Sequence, residues 1–345
     1  MALLISTLLA IIAISHMNGR NVLSSDMFIQ QTPSALYNET PTRPAVILVA
    51  SYKGGSTFCG ELFNQNPNMC YFFEPLFDTQ DKPTWNSSIR ATSTLKELYN
   101  CRFPDYYLDM IKNFSLTKSK SNCFKEICHR GFSCQRTVLS EFVQGCNKYN
   151  YIAMKVLRLQ SLEMLKPLVL KEKIDLKIIH LIRDPRGIAC SRTCKGFWDV
   201  RRREIIDKEG DLIKHVAHDC KHVLDMISYA KHLPAWLNGR YKLVRYEDFA
   251  SDPIAMAEDI YKFLQMDLPF EVKSWIQEKT MHEELSEGRL KRSRNSTATA
   301  ESWRHVLSYS EVDLIQSVCS DTINMMEYKM LSSENQLQNQ FYKVF

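Results

Sequence analysis

The stretch AVILVASYKGGSTF, residues 45–58, decides the fold. Its first part, Ala45–Ala50, is a continuous apolar and β-branched run, which predicts a strand buried on both faces of a parallel sheet. Gly54 and Gly55 then permit the positive φ values and the close backbone approach of a tight loop. A helix with one apolar side follows from Ser56. The stretch therefore predicts a strand, a phosphate loop and a helix in succession.

The predicted loop has the features of an anion site. Exposed N–H groups at a helix start, the helix macrodipole and the hydroxyls of Ser56 and Thr57 all favour a phosphate, and Lys53 adds a full positive charge. Ser51 and Tyr52 belong to the same loop. The motif is not a Walker A loop, because Lys53 precedes the glycines instead of following them. An ordinary strand-to-helix turn with a surface lysine has the same local pattern, so the loop alone leaves both interpretations open.

A second unit, IIHLIRDPRGIACSR at residues 178–192, has a related design. A buried strand is predicted to end at Arg183, and Pro185 suits the first position of a helix because its φ is preset. Ser191 follows about two turns into that helix. Arg183 and Ser191 are therefore candidates to bind one phosphate together.

The two units resemble the sulfotransferases that use 3′-phosphoadenosine 5′-phosphosulfate (PAPS), in particular the Golgi carbohydrate 6-O-sulfotransferases acting on galactose, N-acetylglucosamine or N-acetylgalactosamine. The resemblance covers nearly everything after Pro44 and includes the motifs at residues 61–67, 73–76, 244–248 and 295–304. It implies an α/β, P-loop-NTPase-like sulfotransferase fold with a central parallel sheet flanked by helices, PAPS as co-substrate and no metal. The family usually has Arg-Ser-Gly-Ser-Ser where this chain has Lys53 to Thr57. Lysine keeps the charge of arginine without its planar fork.

The resemblance also implies roles for single residues. The first loop is similar to the family's 5′-phosphosulfate site, with Lys53 at the leaving phosphate, and Arg183 with Ser191 is similar to its 3′-phosphate site. Glu74 directly follows a predicted strand at Met69–Phe73 and resembles a catalytic base. The alternative is that Glu74 caps a turn. Tyr246 is a candidate to stack on the adenine ring, and a role in the apolar core is an equal alternative for it. Arg294 is a candidate contact of the 3′-phosphate.

The predicted domain organisation has four parts. Residues 1–20 are an apolar signal-anchor, although their apolar core also fits the length of a cleaved signal peptide. Residues 21–43 are a luminal stem, residues 44–330 are the sulfotransferase domain, and residues 331–345 are a loose polar tail. The resemblance implies a single-pass type II Golgi membrane protein with a luminal catalytic domain, and a secreted form stays open.

Composition agrees with the secretory lumen. Eleven cysteines favour disulfides over zinc, and their odd number leaves at least one thiol unpaired or paired to another chain. A homodimer stays open. Four glycosylation sequons begin at Asn38, Asn86, Asn113 and Asn295. The formal charge of +5 is compatible with an anionic nucleotide and an acidic glycan, and it is far below that of a nucleic-acid-binding protein.

The function predicted from these observations is transfer of the sulfuryl group of PAPS to the 6-hydroxyl of a sugar in a glycan or proteoglycan. Two alternatives stay open: another luminal PAPS enzyme that acts on heparan or tyrosine, and a catalytically weak glycan-binding homologue. A nucleotide kinase is disfavoured, because the sequence has no Walker lysine and no recognisable metal-binding aspartate.

Overall fold

The computed structural model describes residues 43–76, 88–113, 121–128, 134–193, 198–199, 204–205, 209–280, 300–339 and 341–345. These residues form the strands β1 (Ala45–Ala50), β2 (Met69–Phe73), β3 (Tyr151–Val156), β4 (Leu176–Ile182), β5 (Trp198–Asp199), β6 (Glu204–Ile205) and β7 (Tyr241–Arg245). They also form the helices α1 (Ser56–Asn64), α2 (Ser88–Tyr99), α3 (Asp105–Asn113), α4 (Leu139–Asn147), α5 (Lys166–Leu170), α6 (Pro185–Thr193), α7 (Glu209–Lys231), α8 (Tyr246–Ser251), α9 (Pro253–Phe263), α10 (Phe270–Thr280), α11 (Tyr309–Met325) and α12 (Glu334–Gln338).

Five strands form one parallel sheet in the order β2-β3-β1-β4-β7, and β5 and β6 form a separate antiparallel pair. All six residues of β1 are buried, as expected for the middle strand of a sheet that is covered on both faces. Because the strands are parallel, the loops that follow β1, β2 and β4 lie at the same edge of the sheet. The predicted α/β fold with a central parallel sheet is confirmed.

The first three predicted elements agree with β1, α1 and β2. β3 ends at Val156, two residues before Arg158, and β4 ends one residue earlier than predicted, at Ile182 instead of Arg183. Both arginines therefore lie just beyond the carboxyl ends of their strands, at the edge where ligands of such sheets bind.

Two apolar clusters of the described residues lie near the phosphate loop. One lies among β1, α1, α8, α9 and α10 and includes Leu48, Phe63, Phe249, Tyr261 and Ile276. The other joins the end of β4 to α6, α7, α11 and the C-terminal residues, and includes Ile182, Val216, Trp303, Ile315 and Val344. The elements on either side of the loop, β1 and α1, thus pack in the first cluster, and the end of β4 packs in the second.

The C-terminal residues are packed, which corrects the prediction of a loose polar tail at 331–345. Leu337, which lies on α12, and Val344 are both buried. The reason is Arg304, whose buried guanidinium donates hydrogen bonds to four backbone carbonyl oxygens of this segment, those of Gln336, Leu337, Asn339 and Tyr342. A polar composition does not reveal that backbone carbonyls will be held in this way.

Four disulfides confirm the expectation from the cysteine count: Cys70–Cys123, Cys101–Cys146, Cys128–Cys134 and Cys220–Cys319. Cys59 and Cys190 are buried thiols. In the described part of the chain, no helix is long and apolar enough to span a membrane. The predicted signal-anchor lies outside that part, as does the predicted stem up to residue 42.

Candidate active site

The phosphate loop makes a tight turn between β1 and α1. Lys53 has φ 66° and Gly55, the residue before α1, has φ 85°. The N–H of Gly54 donates to the carbonyl of Ser51 at 3.0 Å, which closes the turn. A Cβ atom on Gly55 would lie 2.2 Å from the ring of Tyr246. Glycine is therefore required at position 55 both by its backbone angle and by the aromatic ring packed on it.

Two arginines of the second unit bind consecutive carbonyls of this loop. Nη1 of Arg183 donates to the carbonyl of Lys53 at 2.9 Å, and Nη2 of Arg192 donates to the carbonyl of Tyr52 at 3.4 Å. Arg192 is buried and also forms an ion pair with Asp219 on α7. A carbonyl that accepts a hydrogen bond from a guanidinium group cannot turn toward a bound anion. The anion can then contact the backbone N–H groups of the loop. The two predicted phosphate units are thus physically joined.

Tyr246 supports both of these units. Its buried ring lies against Gly55, and the guanidinium of Arg183 lies 4.6 Å from its centroid. Gly187 on α6 leaves room for this arrangement, because a Cβ atom there would lie 3.1 Å from Nε of Arg183. Tyr246 also belongs to the apolar core around β1. The ring therefore holds the loop and the arginine in place.

Arg186 lies in the same motif as Arg183 but has a different environment. Its fully buried guanidinium forms an ion pair with Asp184, with Nε and Nη2 at 2.9 and 2.7 Å from the two carboxylate oxygens. It also donates to the side chain of Gln316 and to the carbonyl of Lys329, and lies 4.5 Å from the ring centroid of Trp303. Arg186 thus connects the start of α6 to the C-terminal residues.

Glu247 completes this buried network. Its carboxylate accepts hydrogen bonds from the backbone N–H of Asp184 at 3.1 Å and from the hydroxyl of Tyr328. Burial raises the pKa of Glu247 to about 7, and the nearby Asp184 carboxylate adds to the rise. The positive charge of Arg245, on β7, interacts with the carboxylate of Glu247. Glu247 therefore titrates near neutral pH.

This pKa predicts a pH dependence of stability. The folded chain keeps the proton of Glu247 up to about pH 7, whereas the unfolded chain releases it near the ordinary value of 4.5. The contribution of this group to stability therefore falls as pH rises between these values, by on the order of 2–3 kcal/mol. Urea unfolding at pH 5 and pH 7.5 should show that Glu247→Gln removes this decrease. An equal decrease in the variant and the wild type would contradict the prediction.

Glu74 lies directly after β2, at the same sheet edge as the phosphate loop, with φ 46° and 9% exposure. Its Oε1 is 2.9 Å from Nζ of Lys155, and its Oε2 is 3.0 Å from Nη1 of Arg158. Burial raises the pKa of Glu74, but the charges and hydrogen bonds of Lys155 and then Arg158 outweigh it, so the pKa lies below its ordinary value. Glu74 is thus an ionised carboxylate at the carboxyl end of its strand.

Tyr52, a residue of the phosphate loop, is influenced by the charge of Glu74. Burial raises the pKa of its phenol, the charge of Glu74 raises it further, and Arg192 and Arg158 lower it. These couplings show that the predicted catalytic carboxylate and the phosphate loop share one charged environment. Nζ of Lys53 lies 5.1 Å from the centroid of the Tyr52 ring.

The other predicted residues lie as follows. Ser56 is buried, Thr57 is exposed, and Ser191 is half-buried on α6. Ser51 and Arg183 line a small pocket whose other walls come mainly from α6, α7 and α11. Arg294 lies outside the described residues. Among the residues that are described, no group of three or more His, Cys, Asp or Glu side chains could hold a metal ion.

Sequence reasoning missed two contributors, Arg192 and Asp219. The only signal for Arg192 was its place next to Ser191 at the end of the motif, and nothing in the spacing pointed to Asp219. Their pairing depends on how α7 packs against α6, which is a tertiary contact.

Comparison with known proteins agrees with this geometry. Residues 43–330 match the family described as Sulfotransferase domain. Carbohydrate sulfotransferase 1 of Danio rerio is 31% identical over 93% of this chain and 86% of the relative. Carbohydrate sulfotransferase 3 of Mus musculus is 28% identical over 86% of this chain and 71% of the relative.

The solved structures that match include a mouse sulfotransferase complexed with PAP. It has 13% sequence identity and a TM-score of 0.45, with 86% of this chain and 93% of that chain covered. The family match and the curated relatives, which extend over most of the chain, carry the assignment. The chain belongs to the carbohydrate sulfotransferase family and is a sulfotransferase enzyme.

Proposed function

We propose that this enzyme transfers the sulfuryl group of PAPS to the 6-hydroxyl of galactose, N-acetylglucosamine or N-acetylgalactosamine in a glycan. The acceptor oxygen bonds to sulfur while the bond from sulfur to the 5′-phosphate oxygen breaks. Glu74 takes the hydroxyl proton, and Lys53 neutralises the charge that develops on the leaving phosphate. The observation that carries the proposal is Glu74, an ionised carboxylate at the same sheet edge as the phosphate loop.

The donor side of the site fits an anionic nucleotide. The positive φ values of Lys53 and Gly55 place a tight loop directly before a nine-residue helix, where backbone N–H groups favour phosphate. Arg183 and Ser191, on the second unit, are the proposed ligands of the 3′-phosphate. The hydrogen bond from the Arg183 guanidinium to the Lys53 carbonyl supports this proposal, because it joins the two proposed phosphate sites. Tyr246, behind both, is proposed to position them.

The cellular setting is part of the proposal. We infer that the enzyme acts in the Golgi lumen on a glycan or proteoglycan, held by an N-terminal signal-anchor. Four disulfides support an oxidising compartment.

The test is transfer of radiolabelled sulfate from PAPS by the full-length enzyme to a panel of desulfated keratan, chondroitin, mucin-type and heparan chains and a tyrosine peptide. We expect 6-O-sulfation of a galactose, glucosamine or galactosamine residue. Glu74→Gln should lower the rate by about 10²–10⁴-fold, because the base is lost, while the affinity for PAP is kept. Disaccharide analysis of the product identifies the sulfated position.

Glu172→Gln is the matched control. Glu172 also forms an ion pair with a lysine, Lys96, but it lies before β4, at the opposite end of the sheet. Its loss should leave transfer unchanged. PAP binding without transfer to any acceptor would favour the glycan-binding alternative, and transfer only to heparan or tyrosine would replace the proposed acceptor.

A further inference from the structure

Both carboxylate oxygens of Glu74 contact a cation. Lys155 contacts Oε1 and Arg158 contacts Oε2, each at hydrogen-bond distance. A general base must reach the acceptor hydroxyl at about 2.6–3.2 Å. Each oxygen has a further lone pair for the hydroxyl, but an oxygen becomes the stronger base when its cation moves away. The two cations differ in how far they are able to do so.

Lys155 is fixed. It lies inside β3, pairs in register with Leu48 on one side and Phe73 on the other, and its side chain is 1% exposed. Nζ lies 3.7 Å from the centroid of the Phe73 ring. Separating Lys155 from Glu74 would break the ion pair of a fully buried ammonium group, which is strongly unfavourable.

Arg158 can leave its place. It lies beyond the end of β3, and its side chain is 32% exposed. Because water reaches its guanidinium, Arg158 can exchange the carboxylate for water at a lower cost in free energy than the buried Lys155 can. The other titratable groups that face Glu74 are the phenols of Tyr52, Tyr71 and Tyr107, which stay neutral because burial raises their pKa values.

We propose that Oε2 of Glu74 is the atom that accepts the proton, that Lys155 is a fixed counter-ion, and that Arg158 is a displaceable one that the acceptor moves aside. This inference rests on the proposed function and adds an order of events to it. The acceptor hydroxyl takes the position of Arg158 next to Oε2, and the proton passes to Oε2 as the oxygen attacks sulfur. When the product leaves, Arg158 returns and favours the carboxylate, so the proton is released to solvent.

This order of events makes the charge state of Glu74 respond to the acceptor. While Arg158 is in place, two cations hold the pKa of Glu74 low; once it is displaced, only Lys155 opposes the effect of burial. Binding of a neutral acceptor should therefore raise the pKa of Glu74. A purely structural Arg158 would give no such response.

The experiment follows the Glu74 carboxyl carbon by ¹³C NMR in the full-length enzyme with PAP, assigned by comparison with Glu74→Gln. Titrations are made with and without N-acetyllactosamine, a neutral probe that carries both galactose and glucosamine 6-hydroxyls. We expect the probe to raise the pKa of Glu74 in the wild type. In Arg158→Met the pKa should already be raised without the probe and should change little on its addition.

Two further variants are controls for Arg158→Met. Lys155→Arg keeps the buried charge and should keep the response of Glu74 to the probe. Arg240→Met removes a guanidinium of similar exposure, 31%, that pairs with Asp175 away from the site, and it should behave as the wild type. An unchanged pKa in the wild type on probe binding, or an equal rise in Arg158→Met, would overturn the proposal.

The failure of this inference is distinguishable from that of the proposed function. If radiolabelled sulfate is transferred to the probe but the pKa of Glu74 does not respond to it, only the displacement of Arg158 is wrong. If no glycan is bound or sulfated, the proposed function fails, and this inference fails with it.

Discussion

Replacing Gly55 by alanine is expected to abolish PAP binding and to destabilise the domain by about 2–5 kcal/mol. The new side chain would have to adopt φ 85°, which strains residues other than glycine. Its Cβ atom would also lie 2.2 Å from a buried ring, that of Tyr246, which cannot move without disturbing Arg183. Calorimetric titration with PAP and urea unfolding measure the two effects.

Gly239→Ala separates the effect of a positive φ from the effect of the contact with Tyr246. Gly239 also has a positive φ, 67°, but a Cβ atom there would meet nothing within 4 Å. This variant should lose only about 1 kcal/mol and bind PAP normally. Equal losses in the two variants would show that the contact with Tyr246 has no importance for the loop.

Replacing Arg186 by methionine is expected to cost about 3–5 kcal/mol of stability, because it leaves the buried carboxylate of Asp184 without its cation. It also removes hydrogen bonds to Gln316 and to the carbonyl of Lys329. Urea unfolding gives the loss directly.

A double variant tests whether the unpaired carboxylate of Asp184 causes the loss of stability. Asp184→Asn combined with Arg186→Met removes both charges and should be more stable than Arg186→Met alone. Arg240→Met, which breaks a largely exposed ion pair, should cost about 1 kcal/mol or less. If Arg186→Met were no more damaging than Arg240→Met, the buried network would have no role in stability.

The sequence predicted those parts of the molecule that depend on neighbouring residues. The apolar run of β1, the glycines after it and the helix start at Ser56 are local signals, and all three were confirmed. The end of β2 at Phe73 placed Glu74 at the sheet edge for the same reason. Local patterns predict elements well when each one carries its own start and stop signals.

The contacts of the charged residues were not predictable in this way. Lys155 and Arg158 are close to each other in the chain, but their shared partner Glu74 is more than 80 positions away. Which carboxylate they meet depends on β3 lying between β2 and β1, and the sequence does not encode that order locally. The packed C-terminal segment escaped prediction likewise, because Arg304 binds its backbone and not its side chains.

The central position of β1 has a consequence for biosynthesis. β1 is the first strand to be made, yet its partners are β3 and β4, which follow about one hundred residues later. Tyr246 and the carbonyl of Lys329 come later still. At typical rates of translation, on the order of half a minute passes before the last of these residues emerges. Such non-local pairing makes folding slow and leaves an apolar strand exposed to aggregation while synthesis continues. Nucleotide binding therefore requires that synthesis has passed residue 329, and a product truncated before that residue should not acquire it.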